Sequence, residues 1–321
     1  MREIRQSGSE GGEAELNRPS LPLSIRSQPL AEEEKVKSLS VRGTELQCID
    51  RGQGRPLLLV HGFPLDHTMW AEQIDAISSQ YRVIAPDLRG FGRSRKGDRS
   101  NLPERPEGCF AQIGPVHFSA PPFTMDQFAD DLAGLLDALG INEPVVYCGL
   151  SMGGYIAFQF WRKYAERLRG LVLCDTRAAA DSPEAAAARG VMADRVLAEG
   201  PQPLVETMLP RLFCETTRQQ RPEVVEGLRR VMMANSPHGI AAAALGMAQR
   251  PDMTAALAEI RCPTLVVVGQ DDAISTPAEM RGIAQAIPGA KFVEIPAAGH
   301  MSPIENPAAV NAAIIEFLAA L

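Results

Sequence analysis

Between residues 36 and 321, short apolar runs alternate with stretches whose apolar side chains recur at helical spacing. Residues 35–41 and 45–50 read as strands around the turn Arg42-Gly43-Thr44, which makes them a hairpin. Pro56–Val60 is apolar without interruption and ends at His61-Gly62, as expected of a strand buried on both faces. A helical stretch over 69–79 leads to a second such strand, 82–85, closed by Pro86-Asp87. Thr124 is placed to cap a helix whose apolar positions are Phe128, Leu132, Leu135, Leu136 and Leu139. Strand 144–148, helix 151–164 and strand 171–174 follow. After a gap come strand 264–268, helix Pro277–Ala286, strand Lys291–Ile295 and a last helix over about 306–320.

Strands that alternate with helices predict an α/β fold with a mostly parallel sheet, here of eight strands, covered by helices on both faces. The alternation lapses over about 176–250, which is rich in Ala, Met and Arg and is punctuated by Pro183, Pro201, Pro203, Pro210, Pro222 and Pro237. That segment reads as a helical insertion broken at the prolines, a cap on a core of 36–175 and 251–321. Residues 1–35 are polar, without apolar periodicity, and read as a disordered extension. The stretch 95–123, rich in Pro, Arg and Glu, reads as an irregular insertion.

Composition narrows the function classes. With 45% hydrophobic and 22% charged residues the chain can bury a sizeable core. A net charge of -7 speaks against a nucleic-acid partner, whose phosphates call for a basic face. No apolar stretch reaches the roughly 18 residues that span a bilayer, and no signal-peptide pattern opens the chain. Six scattered cysteines without a C-x-x-C pair fit buried thiols in a reducing compartment, so a cytoplasmic location without a membrane partner is expected. The oligomeric state is left open.

Gly149-Leu150-Ser151-Met152-Gly153 matches G-x-S-x-G. The pattern is common by chance, but here it joins a buried strand to a helix, the setting of a strained nucleophile turn. Glycines on both sides let neighbouring backbone pass without a Cβ clash. A serine hydroxyl needs a base, and among the five histidines His300 stands in the loop after the last strand, ahead of the final helix. An acid should orient it. Asp272 is the expected residue, with Asp271 as a turn or cap and Asp175, at the end of strand 171–174, as a rival. The oxyanion calls for N–H donors from the residue after the nucleophile and from the loop after the early buried strand, which designates Met152 and Phe63. His61 is expected to orient that loop. Trp70, Leu150 and Met301 could line an apolar pocket.

The chain from about residue 38 resembles the α/β-hydrolase superfamily, and within it the group of small esterases, 3-oxoadipate enol-lactonases and cofactor-free perhydrolases. His61-Gly62-Phe63-Pro64, residues 86–94, residues 149–154, residues 269–272 and Gly299-His300 carry the resemblance, in the family's order. It favours Asp272 as the acid and implies that 176–250 caps the site. The Asp nucleophile of haloalkane dehalogenases is absent, as is any dinucleotide or metal-ligand motif, so no cofactor and no metal are expected. The expected activity is hydrolysis of a small-molecule carboxylic ester or lactone through an acyl-enzyme. Enol-lactone hydrolysis and perhydrolysis are the alternatives, and a ligand-sensing hydrolase acting through a protein partner is a reading of another class.

Overall fold

A computed structural model describes residues 36–94 and 121–321. The 1–35 extension and most of the 95–123 insertion fall outside them. Strands β1 (Val36–Val41), β2 (Thr44–Arg51), β3 (Pro56–Val60), β4 (Arg82–Pro86), β5 (Val145–Leu150), β6 (Leu168–Cys174), β7 (Thr264–Gly269) and β8 (Lys291–Ile295) form one sheet. Its order is β1-β2-β4-β3-β5-β6-β7-β8. β1 and β2 are the expected hairpin, and β2 is also antiparallel to β4; every pairing from β4 to β8 is parallel. Arg42 and Gly43 both have positive φ (48° and 79°), which matches the right-handed twist of the hairpin strands.

Strict alternation within the parallel strands builds two cores. Leu58, Val60, Tyr147, Leu171, Leu173, Val266 and Val268 face one side. Leu57, Leu59, Val146, Cys148, Val172, Leu265 and Val267 face the other. Both faces are therefore apolar, and so the strands appear in the sequence as continuous runs.

The helices are α1 (Ala71–Ile77), α2 (Met125–Ala138), α3 (Met152–Tyr164), α4 (Pro183–Glu199), α5 (Gln202–Leu212), α6 (Glu215–Gln220), α7 (Pro222–Ala234), α8 (Pro237–Ala248), α9 (Pro277–Ala286), α10 (Ser302–Glu305) and α11 (Pro307–Ala319). α2, α3 and α9 pack on the first face, α1 and α11 on the second. Thr124 caps α2 as expected, its side chain accepting from Gln127 N. The helix expected over 69–79 is instead a 3-10 turn, His67–Trp70, followed by α1, because Asp66 caps the chain two residues earlier.

The helices α4 to α8 fill the lapse in alternation, and the segment is divided at most of its prolines, which start helices rather than interrupt them. Pro183, Pro203, Pro222 and Pro237 sit in the first turns of their helices, where the missing N–H has no intrahelical partner to lose. Pro210 lies inside α5, two residues before its end. α4 lies along α8, and α7 packs against α5 and α6. α8 is seated on the core backbone itself. A Cβ on Gly239 would lie 2.1 Å from Gly90 O, and one on Gly246 would lie 1.8 Å from Phe123 O. Among the described residues no helix is long and apolar enough to cross a membrane.

Candidate active site

The exits of β3, β5, β6, β7 and β8 converge at the carboxyl edge of the sheet, where open parallel sheets place their ligands. Ser151 is the first residue past β5 and caps α3 with φ 52° and ψ -110°, a conformation that is costly for a residue with a side chain. Its surroundings hold it there. Ser151 N–H donates to Cys174 O at 2.9 Å, and Ser151 O accepts from Thr176 Oγ1 at 2.7 Å and from Gly154 N at 2.9 Å. The flanking glycines are required by contact: a Cβ on Gly149 would lie 2.4 Å from Gly153 O, and one on Gly153 would lie 2.4 Å from Val60 O.

His300 is buried in the loop between β8 and α10 and shares a hydrogen bond of 2.8 Å between its Nδ1 and Asp272 Oδ2. The second oxygen of Asp272 accepts from Ile274 N at 2.7 Å and Ser275 N at 3.0 Å, which fixes the carboxylate's orientation. His300 Nε2 is buried and has no hydrogen-bond partner. Asp272 and His300 are thus brought together, whereas no hydrogen bond joins His300 to Ser151.

The rival acid, Asp175, occupies a different place. It is fully buried with φ 46° and makes no bond to a histidine. Its Oδ1 accepts from Gly269 N at 2.8 Å and its Oδ2 pairs with Ser302 Oγ at 2.5 Å, so it ties the acid-bearing loop to the chain two residues past His300. Burial, and next the nearby Asp272, push its carboxyl well above the usual carboxylate range. Asp271 is exposed, and its N–H donates to Ala298 O at 2.8 Å.

The turn after β3 comes close to the serine: a Cβ on Gly62 would stand 3.5 Å from Ser151 Cβ. Among the described residues, neither Phe63 N nor Met152 N reaches a backbone carbonyl. The expected role of His61 has a geometric basis. Leu88 N donates to its Nε2 at 3.0 Å, so Nδ1 carries the proton and donates to Gly62 O at 2.9 Å. Burial lowers its pKa and keeps the ring neutral. Trp70, Leu150 and Met301, expected to line a pocket, are all fully or almost fully buried in the core on the α1 and α11 side.

Three groups have bonding roles that the sequence did not show, because each links separate elements of the fold. The buried Glu305 accepts from Gly299 N at 2.7 Å and from Cys214 N at 2.8 Å, joining the His300 loop to the start of α6. Asn235, past the end of α7, bonds Pro64 O at 2.9 Å and Gly92 N at 2.7 Å. Asp87 receives His67 Nδ1 at 2.6 Å, His67 N at 2.9 Å and Arg93 N at 2.7 Å. With Asp66, this last pair is the one set of possible metal ligands gathered among the described residues, and its atoms are already engaged with each other and with backbone. An open polar notch lined by Lys37, Asp50 and Arg82 lies at the antiparallel end of the sheet, where Asp50 pairs with both cations.

The family profile described as the alpha/beta hydrolase fold matches residues 55–307. A thermophilic esterase from Thermogutta terrifontis, solved with malate bound, is 48% identical and superposes with a TM-score of 0.79 over 89% of this chain and 98% of its own. An enol-lactonase from Burkholderia xenovorans LB400 is 32% identical, with a TM-score of 0.75 over 88% of this chain and 100% of its own. By sequence, 3-oxoadipate enol-lactonase 2 of Acinetobacter baylyi is 28% identical over 279 residues, 86% of this chain and 94% of that protein.

Proposed function

This chain belongs to the α/β-hydrolase family, and from that premise we propose that it is a serine hydrolase cleaving a small carboxylic ester or lactone through an acyl-enzyme on Ser151. The observation that carries the reading is the pairing of His300 Nδ1 with Asp272 beside a free, buried Nε2. A carboxylate on Nδ1 keeps the proton there and leaves Nε2 as the acceptor, the tautomer that a general base needs.

In the reaction so proposed, rotation of the Ser151 side chain brings Oγ within reach of His300 Nε2; such bonds often form only with substrate present. Nε2 takes the Oγ proton as Oγ bonds to the carbonyl carbon. The negative oxygen of the tetrahedral intermediate is met by Phe63 N–H and Met152 N–H, the latter at the positive end of α3. Collapse breaks the bond to the leaving oxygen, which receives the proton from Nε2. Water then repeats the sequence on the acyl group, releasing the acid and restoring Ser151. For a lactone the leaving oxygen remains tethered to the acyl chain, and a single hydroxy acid departs.

Labelling by a fluorophosphonate probe tests the reading. The folded protein should be labelled, and Ser151→Ala should abolish both labelling and hydrolysis of p-nitrophenyl acetate. Labelling that persists in Ser151→Ala overturns it. The enol-lactonases among the relatives support a lactone as the narrower substrate. Turnover of 3-oxoadipate enol-lactone exceeding that of simple esters by 100-fold or more in kcat/KM, about 3 kcal/mol of transition-state preference, is the result expected on that narrower reading.

A further inference from the structure

The turn that carries Phe63 is held from two sides, and one of them is the cap. The Gly62–Phe63 peptide is planar and trans, so Gly62 O and Phe63 N–H point in opposite directions, and whatever grips the carbonyl aims the amide. Gly62 O is gripped from within the core, by Leu65 N at 3.0 Å and His61 Nδ1 at 2.9 Å. The next peptide ends in Pro64 and has no N–H. The following carbonyl, Pro64 O, is taken at 2.9 Å by Asn235 Nδ2.

Asn235 comes from the junction of α7 and α8 and is 4% exposed. Its amide is saturated in one orientation only. Oδ1 accepts from Gly92 N at 2.7 Å, while Nδ2 faces Pro64 O at 2.9 Å and Val231 O at 3.2 Å. A flipped amide would set a donor against the Gly92 N–H and an acceptor against two carbonyls. One side chain of the cap thus bridges the turn after β3 and the loop after β4.

We infer that Asn235 is a positioning residue for the oxyanion, holding Pro64 O so that the turn presents Phe63 N–H to the oxygen that becomes negative when Ser151 attacks the carbonyl carbon. The inference rests on the serine-hydrolase reading above. It makes seating of the cap a condition for transition-state stabilisation as well as for substrate enclosure. In Asn235→Asp the acceptor for Gly92 N survives, but a carboxylate oxygen is set against Pro64 O, and the turn loses its outer support. Asn235→Ser is shorter and loses the bridge without adding charge.

The experiment compares wild type, N235D and N235S by steady-state hydrolysis of p-nitrophenyl acetate and by inhibition with an alkyl trifluoromethyl ketone. The serine adduct of that inhibitor carries the oxyanion, whereas the bound ester does not. Because small displacements of a catalytic donor act mainly on the transition state, kcat should fall about 10–100-fold with KM within about twofold. The ketone's Ki should rise by a factor close to the loss in kcat. A variant that merely folds less completely would lose active sites, read by the extent of fluorophosphonate labelling, while keeping its Ki. An unchanged Ki, or a KM that rises in step with Ki, overturns the inference. The two levels separate cleanly. Wild type that the ketone inhibits through Ser151, with N235D and N235S inhibited equally, removes only the role of Asn235; wild type that it does not inhibit removes the serine-hydrolase reading and this inference together.

Discussion

Two buried carboxylates stand at the exits of neighbouring strands, and their hydrogen bonds sort them. Asp272 offers one oxygen to His300 Nδ1 and the other to two backbone N–H groups, while Asp175 spends both oxygens on Gly269 N and Ser302 Oγ. Only the first can set the tautomer of His300. Asp272→Asn should therefore lower kcat on p-nitrophenyl acetate by about 10³–10⁴-fold with little change in KM, because an amide at that place favours the wrong tautomer. Asp175→Asn should cost no more than about tenfold, since an amide can still accept from Gly269 and donate to Ser302. Comparable losses in the two variants would restore Asp175 as the acid. From the sequence, both aspartates followed strands and either could have served. Resemblance favoured Asp272; the direction in which each carboxylate points depends on contacts with residues 28 and 127 positions further along the chain.

At the scale of elements, the inner parallel strands were legible because both of their faces are buried: β3 falls where the pattern puts it, and β4, β5 and β7 run a residue or two further. The edge strand β8 also falls where expected, although its Lys291 and Glu294 are exposed. The loops were not legible, because their partners are other loops. His67 and Asp87 join the turn after β3 to the loop after β4, both nearly fully buried. Burial alone would lower the pKa of His67, but Asp87 raises it above its ordinary 6.5. Burial alone would raise Asp87, yet His67 holds it below 3.8. A histidine with a raised folded pKa gives its stabilisation in full below 6.5 and loses it as pH climbs through the raised value. A carboxylate with a lowered pKa gives its share above 3.8 and loses it as pH falls through the lowered value. The gap in melting temperature between wild type and His67→Asn should therefore be widest between pH 3.8 and 6.5 and narrow above that range. At its widest it should correspond to about 3 kcal/mol, because Asp87 loses its buried counter-charge. A gap that is flat with pH would show the pair to be uncharged.

Across the whole molecule, the two ends of the helical segment α4–α8 are clamped to each other and to α3. Asp181, before α4, pairs with Arg250, after α8, at 2.9 Å, both side chains 4% exposed. Arg250 also stacks over Tyr155 of α3 at 4.2 Å and donates to Ala179 O at 3.0 Å, while Met253 N reaches Ala178 O at 2.8 Å. Removing one member of a buried pair leaves the other uncompensated, so Asp181→Ala should lower the unfolding free energy in urea by about 3 kcal/mol. Limited proteolysis should then cut within α4 to α8 faster than in wild type. Unchanged stability would mean that the remaining bonds of Arg250 suffice.

By itself the sequence determined the α/β class, the two-faced parallel sheet, the place of the helical segment 176–250 and the turn at Ser151. Each of these is set by local pattern: continuous apolar runs where both faces of a strand are buried, helical spacing where one face is, and glycines where backbones nearly touch. Only the tertiary structure decided which aspartate meets His300, why His61 is neutral and occupied, and that Asn235 and Glu305 link the α4–α8 segment to the turn after β3 and to the His300 loop. Apart from the local bonds His61–Gly62 and Gly299–Glu305, those contacts join residues 27 to 171 positions apart, and a hydrogen bond leaves no periodicity by which a linear pattern could announce it.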